Sequence, residues 1–406
     1  MQWLSRVMLK LLIENTLVKV VGMEKEYKIL GNYIRLVDER NRDLAVTKLL
    51  GVSISKKFIP SIANIVGTDL SNYKIVRTGQ FAYGPVTSRN GEKISIAYLD
   101  EEDCIISSSY TVFEVENKEE LDPEYLMLWF SRPEFDRYAR YKSHGSVREI
   151  FDWNELCMVE LPVPDIEKQR NIVKAYKTIT DRIALKQKIN DNLVATLQII
   201  YKKMFLESQN TYITKPLADL CSKIGSGATP KGGKAAYFDK GISLIRSMNV
   251  FDYFFSYPEL AHISQIQANA LANVEIQQAD VLFNITGVSV TRCCVVPDDV
   301  LPARVNQHVM IIRPYKGKNM SYYIMCTLCT SENKAKLLGI GQSGSTREAI
   351  NKQELERFEI PVPSDEELER FGEIATKIYA LIFSNTNEIR MLCDMKDTLL
   401  TKLSSY

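Results

Sequence analysis

No proline follows another anywhere in the 406 residues, which removes the Asn/Asp-Pro-Pro-aromatic loop that a DNA amino-methyltransferase places around its extruded base. Histidine is scarce: His144, His262 and His308 are the whole supply, and none sits in a recognisable Ser-His-Asp or Cys-His frame. There is one Cys-x-x-C, Cys326 to Cys329, without a second pair, which argues against a structural zinc site. The eight cysteines fall at irregular spacings, the pattern of reduced thiols rather than of a disulfide framework. Phosphate loops are missing too. "GATPKGGKA" (227–235) approaches G-x-x-x-x-G-K-[ST], but Ala228 stands at the first glycine and Ala235 replaces the magnesium-binding hydroxyl. "GSGATP" (225–230) ends in Pro230 where a dinucleotide loop needs glycine. Asp165 and Glu167 lack the acid-x-Lys spacing of a metal-dependent nuclease, and Asp165 reads as a helix cap. No metal site and no catalysis by this chain are expected.

Charge of one sign is also lacking. The formal balance is +1, so whole-chain charge gives no argument for nucleic acid, although segregated basic faces remain open. The apolar N-terminus is broken by Arg6, Lys10, Glu14 and Lys19, too soon for a membrane span or a signal h-region. Residues 1–26 read as an N-terminal extension, either an amphipathic helix or leader translated from an upstream start, with Met23 favouring the second. A cytoplasmic protein is expected.

What is present is a repeat. "LPVPDIEKQR" (161–170) returns as "IPVPSDEELER" (360–370), 199 positions on. "GSVREI" (145–150) answers "GSTREA" (344–349) at the same offset. "GQFAYG" (79–84) resembles "ADVLFN" (279–284) at an offset of 200, and "SSYTVF" (108–113) resembles "NQHVMI" (306–311) at 198. Small drifts of this kind imply loop insertions between two copies of one fold.

After each proline motif comes a helix signal. Asp165 and Ser364 are cap residues at equivalent steps, and Ser364 with Glu367 forms a capping box. The helices carry alternating three- and four-residue spacing. The first runs through Ile172, Tyr176, Ile179, Ile183, Lys186, Asn190, Leu193, Leu197, Ile200 and Met204. The second runs through Phe371, Ala375, Ile378, Ile382, Asn385, Ile389, Leu392, Lys396, Leu399 and Leu403, every position at offset 199. Sustained a/d spacing predicts a coiled-coil face, and the polar members Lys186, Asn190, Asn385 and Lys396 fix register and partner at some cost in stability. A helix from 166 to 206 would be roughly 60 Å long, too long to flank a small domain.

Between the helices, short apolar runs such as 104–115 and 308–314 read as strands. Residues 122–141 read as a helix interrupted at Pro133, with 320–338 as its counterpart. The expected fold is α+β: two similar mixed domains at 27–164 and 211–363, and two long helices at 165–210 and 364–406 forming an antiparallel coiled coil with pseudo-twofold symmetry.

In this order the motifs resemble the specificity (S) subunit of Type I restriction–modification systems over roughly residues 27 to 405. Residues 217–250 look like the opening of a target-recognition domain, with the family's Gly-x-x-Thr-Pro within Gly225–Pro230 and its aromatic at Tyr237. "ADVLFNITG" (279–287) is similar to the family's "GDVLFNITG", departing at Ala279. The resemblance implies a prokaryotic protein whose domains each read half of a split target in double-stranded DNA while the helices set the spacer. It implies two modification (methyltransferase) subunits and restriction (translocase/nuclease) subunits as partners, which carry S-adenosylmethionine, ATP and magnesium; this chain would bind no cofactor. Arg, Lys, Asn, Gln and hydroxyl side chains do such reading. The candidates are Tyr83, Thr87, Ser88, Arg89, Asn90 and Lys93 in the first domain. In the second they are Ser226, Thr229, Lys231, Lys234, Asn284, Thr286, Ser289 and Arg292. The paired loops add Ser146 with Arg148 and Ser345 with Arg347, unless these arginines form salt-bridged turns with Glu149 and Glu348. Lys168, Arg170, Lys174 and Lys177 make the first long helix basic at its start, either a solvated face or a binding one. The competing readings are a non-catalytic tandem-repeat adaptor and a fragment of a fused restriction–methylation enzyme, the latter weakened by the missing methyltransferase loop.

Overall fold

A computed structural model describes residues 27–61, 67–88, 90–145, 148–208, 210–342 and 349–404; the N-terminal extension therefore lies outside the described residues. The chain divides into two compact units, one running up to Leu185 and taking in the residues from Ile389 on, the other running from Lys186 to Glu388.

In the first unit the alternating segments form β1 (Ile34–Val37), β2 (Phe81–Tyr83), β3 (Ile96–Tyr98) and β4 (Thr111–Val115), an antiparallel sheet in the order β1-β4-β2-β3. Period-two alternation gives the sheet two apolar faces. Phe81, Tyr83, Phe113 and Val115 pack against α1 (Pro123–Phe130), α2 (Pro133–Tyr141), α3 (Trp153–Cys157) and the start of α4 (Ile166–Tyr201). Ala82, Ala97 and Val112 pack on the other side against small strand pairs carrying Leu50, Val52, Val76, Cys104 and Ile106.

The second unit repeats this plan. Its sheet holds β5 (Cys221–Ser226), β6 (Val281–Asn284), β7 (Cys293–Val295) and β8 (Val309–Pro314) in the order β5-β8-β6-β7, again antiparallel. Val281, Phe283, Met310 and Ile312 face α5 (Gly317–Leu328), α6 (Ser331–Gln342), α7 (Lys352–Glu356) and α8 (Asp365–Ser404). Leu282, Cys294 and Ile311 face a three-stranded sheet carrying Leu244, Ile263 and Val305. The shared strand order is the duplication expected from sequence. One detail is corrected. An offset of 198 would set Phe113, on the helix-facing side, against Ile311, on the opposite side. Strand pairing Phe81↔Phe113 and Val281↔Ile312 makes the offset 199. A one-residue slip reverses every side chain of a strand, so the discrepancy is physical.

The recurring prolines end short strands. Glu160–Pro162 pairs with Tyr27–Ile29, and Glu359–Val362 pairs with Ile213–Pro216. In each copy a buried tyrosine anchors the turn from beneath: Tyr125 donates its hydroxyl to Pro162 O at 2.9 Å and Tyr323 donates to Pro361 O at 2.8 Å. The helices then start on their caps. Lys168 N donates to Asp165 at 2.9 Å, and Ser364 and Glu367 complete the expected reciprocal box.

The spacing seen in sequence becomes packing in both units. Ile172 and Ile179 are buried with Leu392, Leu399 and Leu403, while Tyr176 and Ile183 are half-buried beside them. In the other unit Leu197 is buried with Phe371, Ala375, Ile378 and Ile382, and Leu193, Ile200 and Met204 flank it. Rising numbers on α4 meet falling numbers on α8, an antiparallel pair. Ile389 is half-buried. Three of the four polar seam members find each other in the second unit, while Lys396, in the first, pairs with Asp397 at 3.6 Å. Lys186 Nζ lies 2.9 Å from Asn385 Oδ1 and 3.1 Å from Glu388, and Asn385 Nδ2 donates to Asn190 Oδ1 at 2.9 Å. Glu388, absent from the seam expected from sequence, is the counter-ion that lets a lysine sit there. Among the described residues no helix is long and apolar enough to cross a membrane, no metal-ligating cluster occurs, and all eight cysteines are unpaired thiols.

Candidate nucleic-acid interface

In the second unit three loops at strand ends are laced into one surface. The Gly225–Pro230 loop leaves β5, residues 284–292 join β6 to β7, and Asn306–His308 turn the chain into β8. Gly227 N donates to Val309 O at 2.9 Å and Ala228 N to Val305 O at 3.0 Å. The approach is so close that a Cβ on Gly227 would lie 2.2 Å from Asn306 O, so only glycine fits. Ile285 N donates to His308 O at 3.1 Å, tying the middle loop to the turn. Side chains continue the lacing: Thr229 Oγ1 donates to Gln307 Oε1 at 2.9 Å, and Thr286 Oγ1 shares a 2.7 Å bond with His308 Nδ1. Ser226, Thr229 and Lys231 are exposed, Ser289 and Arg292 half-exposed, and the Arg292 guanidinium lies over the Phe251 ring, 4.5 Å from its centroid. Val288 stands fully exposed at the tip.

Asn284 does not belong to this surface. It is wholly buried, and Nδ2 donates to Ser247 O at 2.9 Å, pinning the end of β6 to the neighbouring segment. Its place in a sequence of polar loop residues concealed that it is still strand. The backbone of Lys234 is described but its side chain is not, and Ser345 and Arg347 lie outside the described residues.

In the first unit the counterpart surface joins residues 84–93 to 142–151. Phe151 N donates to Pro85 O at 2.9 Å and Thr87 N to Glu149 O at 3.0 Å. Two candidates leave the set. Tyr83 is wholly buried in the sheet core, where burial pushes its hydroxyl well above the ordinary phenol range. Thr87 is buried with its hydroxyl on Ser143 Oγ at 2.9 Å. Ser88, Lys93 and Arg148 are exposed and Asn90 half-exposed, while Arg89 and Ser146 lie outside the described residues. Glu149 pairs with Arg140. Gly145, with φ +136°, allows the turn, because a Cβ there would lie 2.1 Å from Arg148 O. The basic start of α4 is largely matched within its own unit: Arg170 pairs with Glu119 at 2.7 Å and Lys177 with Glu124 at 2.5 Å. Such pairs describe a solvated face better than an open cationic one. Sequence reasoning missed Gln307 and His308; the signal was "NQH", polar residues between two strands of different sheets.

Each copy thus carries the same four-stranded sheet with a polar loop surface at its strand ends, packed on a long helix. The family model for the Type I restriction modification DNA specificity domain matches residues 55–195 and 214–391, and the chain belongs to that family. Among its relatives are a protein named as the type I restriction enzyme MjaX specificity subunit of Methanocaldococcus jannaschii, 23% identical over 192 residues, and the type I restriction enzyme HindI specificity subunit of Haemophilus influenzae, 23% identical over 190. These matches cover 47% and 45% of this chain and 44% and 41% of the relatives, so the chain spans somewhat under half the length of the relatives it matches. The crystal structure of a Type I restriction–modification S subunit from M. genitalium aligns over 94% of this chain and 96% of that one, with a TM-score of 0.58 at 13% identity, a likeness of fold.

Proposed function

We propose that the chain is the DNA sequence-specificity subunit of a Type I restriction–modification complex. Each unit's loop surface reads one half of a bipartite target in double-stranded DNA. The paired helices set the spacer and dock methyltransferase subunits, with restriction subunits joining that assembly. The chain itself is non-catalytic; S-adenosylmethionine, ATP and magnesium belong to its partners. One observation carries this reading: the same four-stranded sheet, in the same order, presents a laced polar loop surface twice. Separation of half-sites on DNA then mirrors separation within a protein.

The test is duplex binding by this chain assembled with its methyltransferase subunits. Affinity should fall linearly on a logarithmic salt scale, with a slope set by the phosphates contacted, and methylated adenines mapped across the host genome should define a split motif. An assembled complex without duplex affinity at low salt would replace this reading with the tandem-repeat adaptor.

A further inference from the structure

From the side-chain network on the second unit's loop surface, we infer that Gln307 is a base-reading residue and that the base it reads is adenine. The inference rests on the DNA-reading role proposed above and names one contact within it.

Gln307 is exposed, yet its amide is not left to wander. Its oxygen accepts from the Thr229 hydroxyl at 2.9 Å, and its nitrogen lies 3.5 Å from His308 Nε2. His308 is in turn held through Nδ1 by Thr286 at 2.7 Å. The backbone beneath is also fixed, since His308 N donates to Asn306 Oδ1 at 3.1 Å and Gly227 is seated against Val305 and Asn306. Four polar side chains from three loops thus orient one another at the surface. The two bonds that Gln307 makes are solvent-exposed and add little to folding stability, because water replaces each of them when it breaks. Holding a glutamine in one rotamer on an exposed surface is useful chiefly to something that must meet it in that rotamer, since the ordering entropy is then already spent.

The chemistry of the amide selects the base. After Thr229 and His308 are satisfied, the oxygen keeps one lone pair and the nitrogen one N–H. An acceptor beside a donor complements adenine, whose major-groove edge offers the N6 amino group beside N7. Guanine presents two acceptors there and cytosine a donor alone, so neither can make both bonds.

The experiment uses the full chain assembled with its methyltransferase subunits, acting on a randomised duplex library read by modification-sensitive sequencing. Gln307→Ala should leave thermal stability unchanged and cost about ten- to a hundredfold in discrimination at one adenine of one half-site. Gln307→Glu should move preference at that position toward cytosine, whose amino group a carboxylate can accept. Thr229→Val should blur the same position by a few-fold and no other. A split motif identical in wild type, Gln307→Ala and Gln307→Glu overturns the assignment while leaving the specificity role intact. A wild-type complex that methylates without any motif overturns the role and this contact with it.

Discussion

Gln169 in the first long helix and Leu368 in the second stand at the same step of the repeat, and both are buried. One is an amide, the other a hydrocarbon. Gln169 accepts from Asp122 N at 2.8 Å and donates to Glu120 O at 2.9 Å and Pro164 O at 2.7 Å, stitching the helix start to the residues before α1. The second copy fills the step with apolar packing instead. It does its stitching one residue earlier, where Glu367 accepts from Asn210 at 2.8 Å and from Tyr212 at 2.9 Å. One geometry is therefore held by two chemistries. The path of the chain was kept while its polar fastening moved to the neighbouring residue.

The seam differs in the same way, and there the contrast can be broken hardest. The first unit packs Ile172, Ile179, Leu392 and Leu399 and leaves its polar seam member, Lys396, beside Asp397, whereas the second carries Lys186 beside Glu388 and Asn385. Lys186→Ala removes the ammonium beside a largely buried carboxylate and should cost about 2 kcal/mol, read from chemical denaturation. The double variant Lys186→Met with Glu388→Leu should recover most of that loss, making the second seam resemble the first. If Lys186→Ala is neutral, the pair contributes nothing and the polar layer is ornamental.

Exchange at the helix starts should have a smaller effect. Leu368→Gln buries an amide without the carbonyl and N–H partners that Gln169 has, and should lose about 2 kcal/mol. Gln169→Leu leaves Asp122 N without its acceptor and should lose about as much, despite gaining apolar surface. Equal tolerance of both substitutions in thermal denaturation would show that the two starts are interchangeable.

The smallest effect is one of pH. Burial works to raise the Glu367 carboxyl, but the bonds it accepts from Ser364, Tyr212 and Asn210 prevail and leave it below its ordinary value. A carboxyl depressed on folding adds stability above its unfolded pKa and loses it as pH falls through the folded one. Glu367→Gln should therefore lower the melting temperature slightly at neutral pH, with the difference from wild type vanishing in acid. At the equivalent step the first copy has Lys168, so Lys168→Gln should show no such convergence.

Much of this architecture was legible in the sequence because it rests on periodicity. The 199-residue recurrence, the caps at Asp165 and Ser364, and the seam from Ile172 to Leu403 are all patterns of spacing. Surfaces were less legible, because exposure at a strand end turns on a single residue. Tyr83 and Asn284 read as loop chemistry yet occupy the last inward positions of β2 and β6, while Gln307, two residues before β8, faces out. The offset of 198 at "SSYTVF" failed for the same reason: composition matched across the two copies, but the alternation of faces did not.

Lys186 and Asn385 are equivalent positions of the two copies, and they touch. Any rival pairing of like with like would bring each residue against itself. Two first helices would set ammonium on ammonium at that step, a repulsion that lysine against asparagine avoids. The seam thus carries a preference for the unlike helix, written in one amino acid.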